Sequence, residues 1–256
     1  MTVQDDERER ELSALFGLDW DPAHERHGVD ALLTDVNVDG QIYNFEVEVK
    51  SSTDLDVGTA RDFGMTHIER WRRMLFVFGF YSKDRGRPEL QRCLCLTPID
   101  MKPWLDGKEA QIQVDFKLAA RIPRNLDLED LFAVCGERSS YSIEDAKKLH
   151  KKQYTAAQYQ AAPDIVESGM RRISQTKMLE ILKERARYIS ERGATVNNPH
   201  LTGSFLRTFL GTSREIIGRT NCAPSIRALA ANFVHEHPGH PAAILTGPAV
   251  TSVSPL

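Results

Sequence analysis

The segment QIYNFEVEVKSS, residues 41 to 52, constrains the fold most, because its side chains alternate strictly between apolar and polar. Every second residue is apolar, namely Tyr43, Phe45, Val47 and Val49. The residues between them are polar, namely Asn44, Glu46, Glu48 and Lys50. A period of two is that of a β-strand with one face on a core, so the other face carries two carboxylates and a lysine in one row. The alternative is a solvated strand face with a Glu/Lys pair.

The preceding residues, GVDALLTDVNVDG, predict the antiparallel partner of this strand. They end in Asp39-Gly40, a pair typical of hairpin turns whose glycine takes positive φ. A two-residue loop sets Asp30 opposite Val49, on the apolar face. A three-residue loop with a glycine bulge sets Asp30 opposite Glu48 instead. We favour the second register, because the first would bury an aspartate in the core.

The parity of the hairpin gives a geometric expectation. We predict that Gly40 has positive φ in a three-residue loop, or that a bulge lies between residues 30 and 38, because either one brings Asp30 to the face of Glu48. Asp35 is nearer to Glu48 in sequence, but its odd separation from Asp30 puts it on the other face. A regular two-residue turn without a bulge would move the search to Asp35 or to the N-terminal helix.

These residues resemble a known family. Gly28-Val29-Asp30, followed after seventeen residues by Glu48-Val49-Lys50, is similar to the motif of the PD-(D/E)xK nuclease superfamily, although Val29 stands where the family name has proline. The resemblance covers residues 5 to 100. It implies an α/β fold, with a restriction-endonuclease-like core of a central mixed β-sheet flanked by helices, followed by a helical C-terminal half.

The resemblance also implies a chemistry, magnesium-dependent hydrolysis of phosphodiester bonds in double-stranded DNA. Asp30, Glu48 and Lys50 would be catalytic. Asp30, Glu48 and the backbone carbonyl of Val49 would hold Mg²⁺, which prefers hard oxygen ligands, and Mn²⁺ would substitute for it. Lys50 would orient the attacking water or stabilise charge on the phosphate, and neighbouring cations would lower its pKa. Glu46, on the same strand face, and Glu11, on the N-terminal helix, are further candidate ligands.

Composition and charge exclude several classes of protein. No stretch approaches the roughly 20 apolar residues of a membrane span, and the acidic N-terminus lacks the pattern of a signal peptide, so we expect a soluble, cytoplasmic protein. The four cysteines lack the spacing of a zinc site.

The net charge is -3, but residues 1 to 60 hold 15 acidic and 4 basic side chains. This asymmetry fits carboxylates at a cation site and phosphate contacts elsewhere, or merely an uneven surface.

Basic and polar segments outside the hairpin are candidates for DNA contact. Ser142 and Asp145 form a capping box that predicts a basic amphipathic helix over about residues 143 to 160. The alternative for its lysines is a solvated face. The candidate DNA-binding residues are Arg70, Arg72, Arg73, Lys147, Lys148, Lys151, Lys152, Arg171, Arg172, Asn197, Asn198 and His200.

The expected organisation is a nuclease core over residues 1–138, a helical part for DNA recognition and dimerisation over 139–237, and an extended tail over 238–256. A sequence-specific type II restriction enzyme is the favoured function, and cleavage of both strands of a symmetric site would require a homodimer or a higher homo-oligomer. One alternative is a junction-resolving or repair nuclease of the same superfamily. Another is a non-catalytic DNA-binding protein on a degenerate nuclease scaffold, against which the intact Asp30, Glu48 and Lys50 argue.

Overall fold

The computed structural model describes residues 3–20, 29–83 and 88–249, so Gly28 of the quoted motif and residues 250–256 of the tail lie outside it. None of the helices in these ranges has the length and hydropathy needed to cross a bilayer. The helices are α1 (Val3–Phe16), α2 (Met65–Trp71), α3 (Pro98–Ala119), α4 (Leu128–Cys135), α5 (Ile143–His150), α6 (Ala156–Ala161), α7 (Gln175–Ala194), α8 (Gly203–Arg207) and α9 (Cys222–Glu236), with a short 3-10 helix at Ile122–Asn125.

The strands form one large mixed sheet and two small sheets. They are β1 (Asp19–Trp20), β2 (Ala31–Val38), β3 (Gln41–Ser52), β4 (Val57–Gly58), β5 (Met74–Tyr81), β6 (Leu90–Leu96), β7 (Ser140–Tyr141), β8 (Ile165–Glu167), β9 (Met170–Ser174), β10 (His200–Leu201), β11 (Glu215–Ile217) and β12 (Ile244–Pro248). The large sheet has the order β1-β2-β3-β5-β6-β11, and β12 also pairs with β3. Only β3 and β5 run parallel among its pairs. The predicted α/β class with a mixed central sheet flanked by helices is therefore confirmed.

The apolar row of β3 lies in the main hydrophobic core. Phe45, Val47 and Val49 are fully buried there, together with Leu12 and Phe16 of α1 and side chains of α9, including Ile226 and Phe233. The opposite face of the sheet carries Phe76 and Phe78 of β5, which stack with each other. The strict alternation in β3 thus separates the main hydrophobic core on one face from the polar row on the other.

Gly79 of β5 faces α1 at close range. A Cβ at this position would lie 2.6 Å from a methyl carbon of Leu12, whose side chain is fully buried and has no free space to occupy. We expect Gly79→Ala to lower the free energy of unfolding by about 1 to 3 kcal/mol, the range for overpacked cores, as measured by denaturant titration. Gly107→Ala in α3 is the control, because open space surrounds that position. Equal stability of the two variants would contradict a tight α1 contact.

The chain divides into two compact units. The first unit contains residues 1–109 and 197–256, and the second contains residues 110–196. This division does not follow the predicted boundaries after residues 138 and 237, because the chain from residue 197 onward contributes β10, β11, α9 and β12 to the first unit. Within the described part of the tail, residues 238–243 include turns, and β12 is an extended strand that pairs with the first half of β3.

The second unit contains helices, as expected, but also a three-stranded sheet that the sequence interpretation missed. Its order is β7-β9-β8, and Ser168 and Gly169, both at positive φ, form the turn between β8 and β9. The capping box of Ser142 and Asp145 is present at the start of α5. However, the single helix expected over 143 to 160 is wrong, because α5 ends at His150 and α6 begins only at Ala156.

Candidate active site

The β2–β3 hairpin closes with a two-residue turn. Val38 pairs with Gln41, and the turn residues Asp39 and Gly40 both have positive φ, at 50° and 79°. The side chain of Asn37 accepts a hydrogen bond from the Gly40 backbone N–H at 3.1 Å. Positive φ at Gly40 was predicted correctly, whereas the favoured three-residue loop is wrong. Two left-handed residues match the twist of the flanking strands, which explains the tighter turn.

A bulge in β2 supplies the change of parity that the two-residue turn does not. The register passes from Val36 opposite Tyr43 to Leu33 opposite Phe45, so that two residues of β2 face one of β3. The extra residue, Asp35, has a φ of 57°. This confirms the predicted alternative of a bulge between residues 30 and 38, and Ala31 pairs with Val47 as the favoured register required.

Contacts from two directions hold the bulge. The side-chain oxygen of Asn44 accepts a hydrogen bond from the Asp35 backbone N–H at 3.1 Å. Arg227 of α9 donates to the carbonyl oxygens of Thr34 and Asp35 at 2.9 and 3.2 Å. These bonds satisfy backbone groups that the bulge removes from the β-ladder. Specific hydrogen bonds therefore stabilise the bulge, and the bulge directs Asp30 to the polar face of the hairpin.

Asp30, Glu48 and Lys50 meet at one point. Lys50 Nζ lies 2.8 Å from Asp30 Oδ2 and 2.9 Å from Glu48 Oε1, and it donates to the Val49 carbonyl oxygen at 3.1 Å. Asp30 Oδ2 also accepts a hydrogen bond from the Val49 backbone N–H at 3.1 Å. The three side chains are only 10 to 15% exposed. Three residues that are separate in sequence thus form one half-enclosed, charged cluster.

The charges in this cluster shift its protonation equilibria. Burial acts to lower the pKa of Lys50, but Glu48, Asp30 and Glu9 outweigh it and raise that pKa well above its usual value. Burial raises the pKa of Glu48, and attraction to Lys50 opposes this shift only in part. The expectation of a lowered Lys50 pKa assumed neighbouring cations, and the carboxylates alone act in the opposite direction.

An aromatic group packs beside Glu48. The Trp71 indole of α2 donates a hydrogen bond to the Glu48 carboxylate and is itself buried. Trp71 also contacts Phe76 of β5, which pairs in register with Glu48, at a ring-centroid distance of 5.3 Å. These rings exclude water from one side of the cluster and strengthen its electrostatic interactions. The sequence interpretation did not assign Trp71 a role, because its indole could not be placed without the packing of α2.

Helix α1 carries two acidic side chains near the sheet, the predicted candidate Glu11 and also Glu9. Glu11 accepts a hydrogen bond from the Tyr81 hydroxyl at 3.0 Å and pairs with Arg219. Glu9 is 6% exposed and helps to raise the pKa of Lys50. A signal for Glu9 was present, since residues 9, 12 and 16 share one helical face and the last two are core residues. Glu9 therefore acts on the cluster through its charge, whereas Glu11 has other partners and its role as a metal ligand stays a prediction.

Glu46 lies one pleat from Glu48 on the polar face of β3. It lines an open depression of about 250 Å³ with four residues of α2 and the turn after it, namely Thr66, Glu69, Arg70 and Arg73. Arg70 and Arg73 therefore lie on the side of the sheet that carries the charged row. Arg72 differs, because it donates to Asp106 and Glu109 at 2.7 and 2.6 Å.

The remaining candidate DNA contacts are more dispersed than predicted. Lys147 pairs with Glu144 at 2.7 Å, and Lys151 and Lys152 adopt left-handed conformations after the end of α5. The predicted common helical face of four lysines is therefore wrong. Arg171 donates to the Pro163 carbonyl oxygen at 3.4 Å, and Arg172 donates to Ser140 at 2.9 and 3.2 Å.

Asn197 and Asn198 lie just before β10, and His200 is the first residue of that strand. His200 forms an ion pair with Asp56, and its carbonyl oxygen accepts a hydrogen bond from Trp104 at 3.2 Å. The Asn198 backbone N–H donates to the Ala60 carbonyl oxygen at 3.1 Å. Asn197 is exposed. Two of the three residues thus stabilise the local fold, and their contact with DNA stays a prediction.

The oxygen atoms at the cluster are of the chemical type that binds small hard cations. Two carboxylate oxygens and one carbonyl oxygen converge on a single cationic nitrogen at 2.8 to 3.1 Å, which shows that this point is lined by the oxygen ligands that magnesium prefers. In residues 3–20, 29–83 and 88–249, no three or more His, Cys, Asp or Glu side chains form a metal-holding group. The fit thus rests on Asp30, Glu48 and the Val49 carbonyl.

Comparisons of the chain with protein-family models, with curated proteins and with solved structures gave no match.

Proposed function

We propose that the protein is a magnesium-dependent endonuclease that hydrolyses phosphodiester bonds in double-stranded DNA. The observation that carries this proposal is the convergence of Asp30, Glu48 and the Val49 carbonyl oxygen on the ammonium of Lys50. Two carboxylates that share one cation, with a lysine two residues from the second, suit the chemistry of phosphodiester hydrolysis. The mixed sheet flanked by helices also supports the finer assignment of a restriction-endonuclease-like core.

The proposed chemistry assigns separate tasks to these residues. Asp30, Glu48 and the Val49 carbonyl would hold the magnesium ion, which, when bound, supplies positive charge for the phosphate and lowers the pKa of its water. Lys50 would orient the attacking water or stabilise negative charge on the phosphate. Glu9 and Trp71 would act as positioning residues, since the first acts on Lys50 and the second donates to Glu48.

Within this class, a sequence-specific type II restriction enzyme is the proposal that we favour. The second unit holds fifteen basic and twelve acidic side chains, a composition that suits a subunit with its own DNA-recognition elements. Cleavage of both strands of a symmetric site would then require a homodimer, so that each strand meets one active site. A junction-resolving or repair nuclease would use the same cluster on a different DNA structure.

Digestion of DNA tests the proposal. Purified protein should cut duplex DNA with magnesium, cut it with manganese in its place, and stop in EDTA. A type II enzyme should give discrete fragments whose mapped ends share one sequence. Preference for branched over linear duplexes would indicate a junction-resolving enzyme instead. Binding without cleavage of either substrate would favour the non-catalytic scaffold and contradict the proposed activity.

A further inference from the structure

The second unit contains cations that its own carboxylates do not neutralise. Residues 110–196 hold fifteen basic and twelve acidic side chains. Several basic residues form short ion pairs, for example Lys177 with Glu180 and Arg138 with Asp145. In contrast, the exposed side chains of Lys117, Arg121 and Arg124 form no ion pair or side-chain hydrogen bond within the described residues.

These three cations line one concave surface. Together with Leu118 and Ala120 they enclose a depression of about 470 Å³. Lys117 lies in the last turn of α3, and Arg121 lies in the tight turn after it, where its backbone N–H donates to the Leu118 carbonyl oxygen at 3.0 Å. Arg124 lies in the 3-10 helix Ile122–Asn125, whose Pro123 is buried. Helix α3 and the anchored 3-10 helix therefore place three positive charges around one depression.

Local structure does not account for this arrangement. Lys117 lies in the last turn of α3, where a cation is favoured by about 0.3 to 1 kcal/mol through the helix dipole. Arg121 and Arg124 lie beyond Ala119, the last residue of the helix, and the dipole effect falls off within the last turn. Three neighbouring cations without counter-charges repel one another, and an anionic ligand would relieve that repulsion.

We propose that Lys117, Arg121 and Arg124 form a phosphate-binding surface for the backbone of duplex DNA. Guanidinium groups match phosphate oxygens bidentately, and two of the three cations are arginines. The exposed side chain of Leu118 in the same depression suits contact with the apolar edge of a sugar. The choice of duplex DNA rests on the proposed nuclease function, whereas the anionic chemistry of the ligand rests on the surface itself.

Removal of the three cations tests this inference. A variant with Lys117→Gln, Arg121→Gln and Arg124→Gln should bind a labelled duplex in EDTA with a weaker salt dependence. We expect the slope of log K against log salt to decrease in magnitude by about three, one per phosphate contact. Fluorescence anisotropy over a range of salt concentrations measures this slope. Substitution of exposed side chains should leave the melting temperature nearly unchanged.

A control variant with Arg138→Gln, Lys177→Gln and Arg187→Gln changes the net charge equally, but removes cations that already have carboxylate partners. Its salt slope should remain close to that of the unmodified protein. Equal slopes for the two triple variants would overturn the proposed surface, as would failure of the unmodified protein to bind the duplex. Cleavage with magnesium is measured separately. Normal binding without cleavage would overturn the proposed nuclease and leave the phosphate-binding surface standing.

Discussion

Asp30→Asn is expected to lower the rate of DNA cleavage at least about a hundredfold, the scale of removing one main electrostatic contributor. The amide keeps the size of the side chain and its acceptor for the Val49 N–H, so the hairpin should stay folded. It removes the negative charge that Asp30 shares with Glu48 around one cationic centre. Lys50→Ala should cause a loss of similar size, because it removes the only ammonium in the cluster. Single-turnover cleavage of a plasmid measures both effects.

Asp35→Asn provides the matched control, since it makes the same chemical change five residues further along the hairpin. Asp35 is the extra residue of the bulge, and asparagine tolerates its positive φ. This variant should cleave DNA at nearly the unmodified rate. If Asp35→Asn lost activity while Asp30→Asn retained it, the first metal ligand would have to be reassigned to the bulge.

The sequence was sufficient to predict which face of β3 carries the charged row, because alternation in a strand is a local property. It also showed that Asp30 could reach Glu48 only through an odd-length connection or a bulge. The choice between them was not accessible. The bulge depends on Arg227, which is almost two hundred residues away in the chain, and on the side chain of Asn44. Parity could be predicted, but its structural origin depends on tertiary contacts.

The helix predicted over residues 143 to 160 shows a different kind of error. Thr155 and Gln158 form a second capping box that starts α6, and their spacing was visible in the sequence. The helical spacing of the four lysines favoured one continuous helix that included Lys151 and Lys152. Likewise, Ser168-Gly169 is a turn signal between two short strands that was not used. Both features could have been predicted from local patterns.

The basic residues available for DNA contact were the least predictable feature, because whether a cation is available depends on its partners in the fold. Arg72 lies in a basic segment, yet Asp106 and Glu109 hold it from more than thirty residues away. Conversely, no sequence pattern indicated Lys117, Arg121 and Arg124, because apolar and polar residues separate them along the chain. Only the packed structure shows which basic side chains lack a carboxylate partner.

Lys50→Met is expected to reduce the free energy of unfolding by about 3 to 5 kcal/mol at pH 7 in EDTA, the range for removing one partner of a buried ion pair. Methionine keeps the length of the side chain, but leaves Asp30 and Glu48 facing each other without a cation. Because burial raises the pKa of Glu48 and Lys50 opposes that shift, the variant should favour a protonated Glu48. A raised folded-state pKa means that stability is lost as pH rises, and the pKa of Glu48 is already raised in the unmodified protein, so the deficit of the variant should grow as the pH rises above the pKa of Glu48 in the unmodified fold.

Magnesium distinguishes a cation site from a merely structural ion pair. If Asp30, Glu48 and the Val49 carbonyl can hold the ion, magnesium should raise the melting temperature of Lys50→Met more than that of the unmodified protein, because no ammonium competes for the oxygens. Lys83→Met is the control, since its pair with Asp54 is mostly exposed and should contribute no more than about 1 kcal/mol. Two outcomes would show that the two carboxylates do not share a cation. In the first, Lys50→Met is as stable in EDTA as Lys83→Met. In the second, magnesium does not change the melting temperature of Lys50→Met.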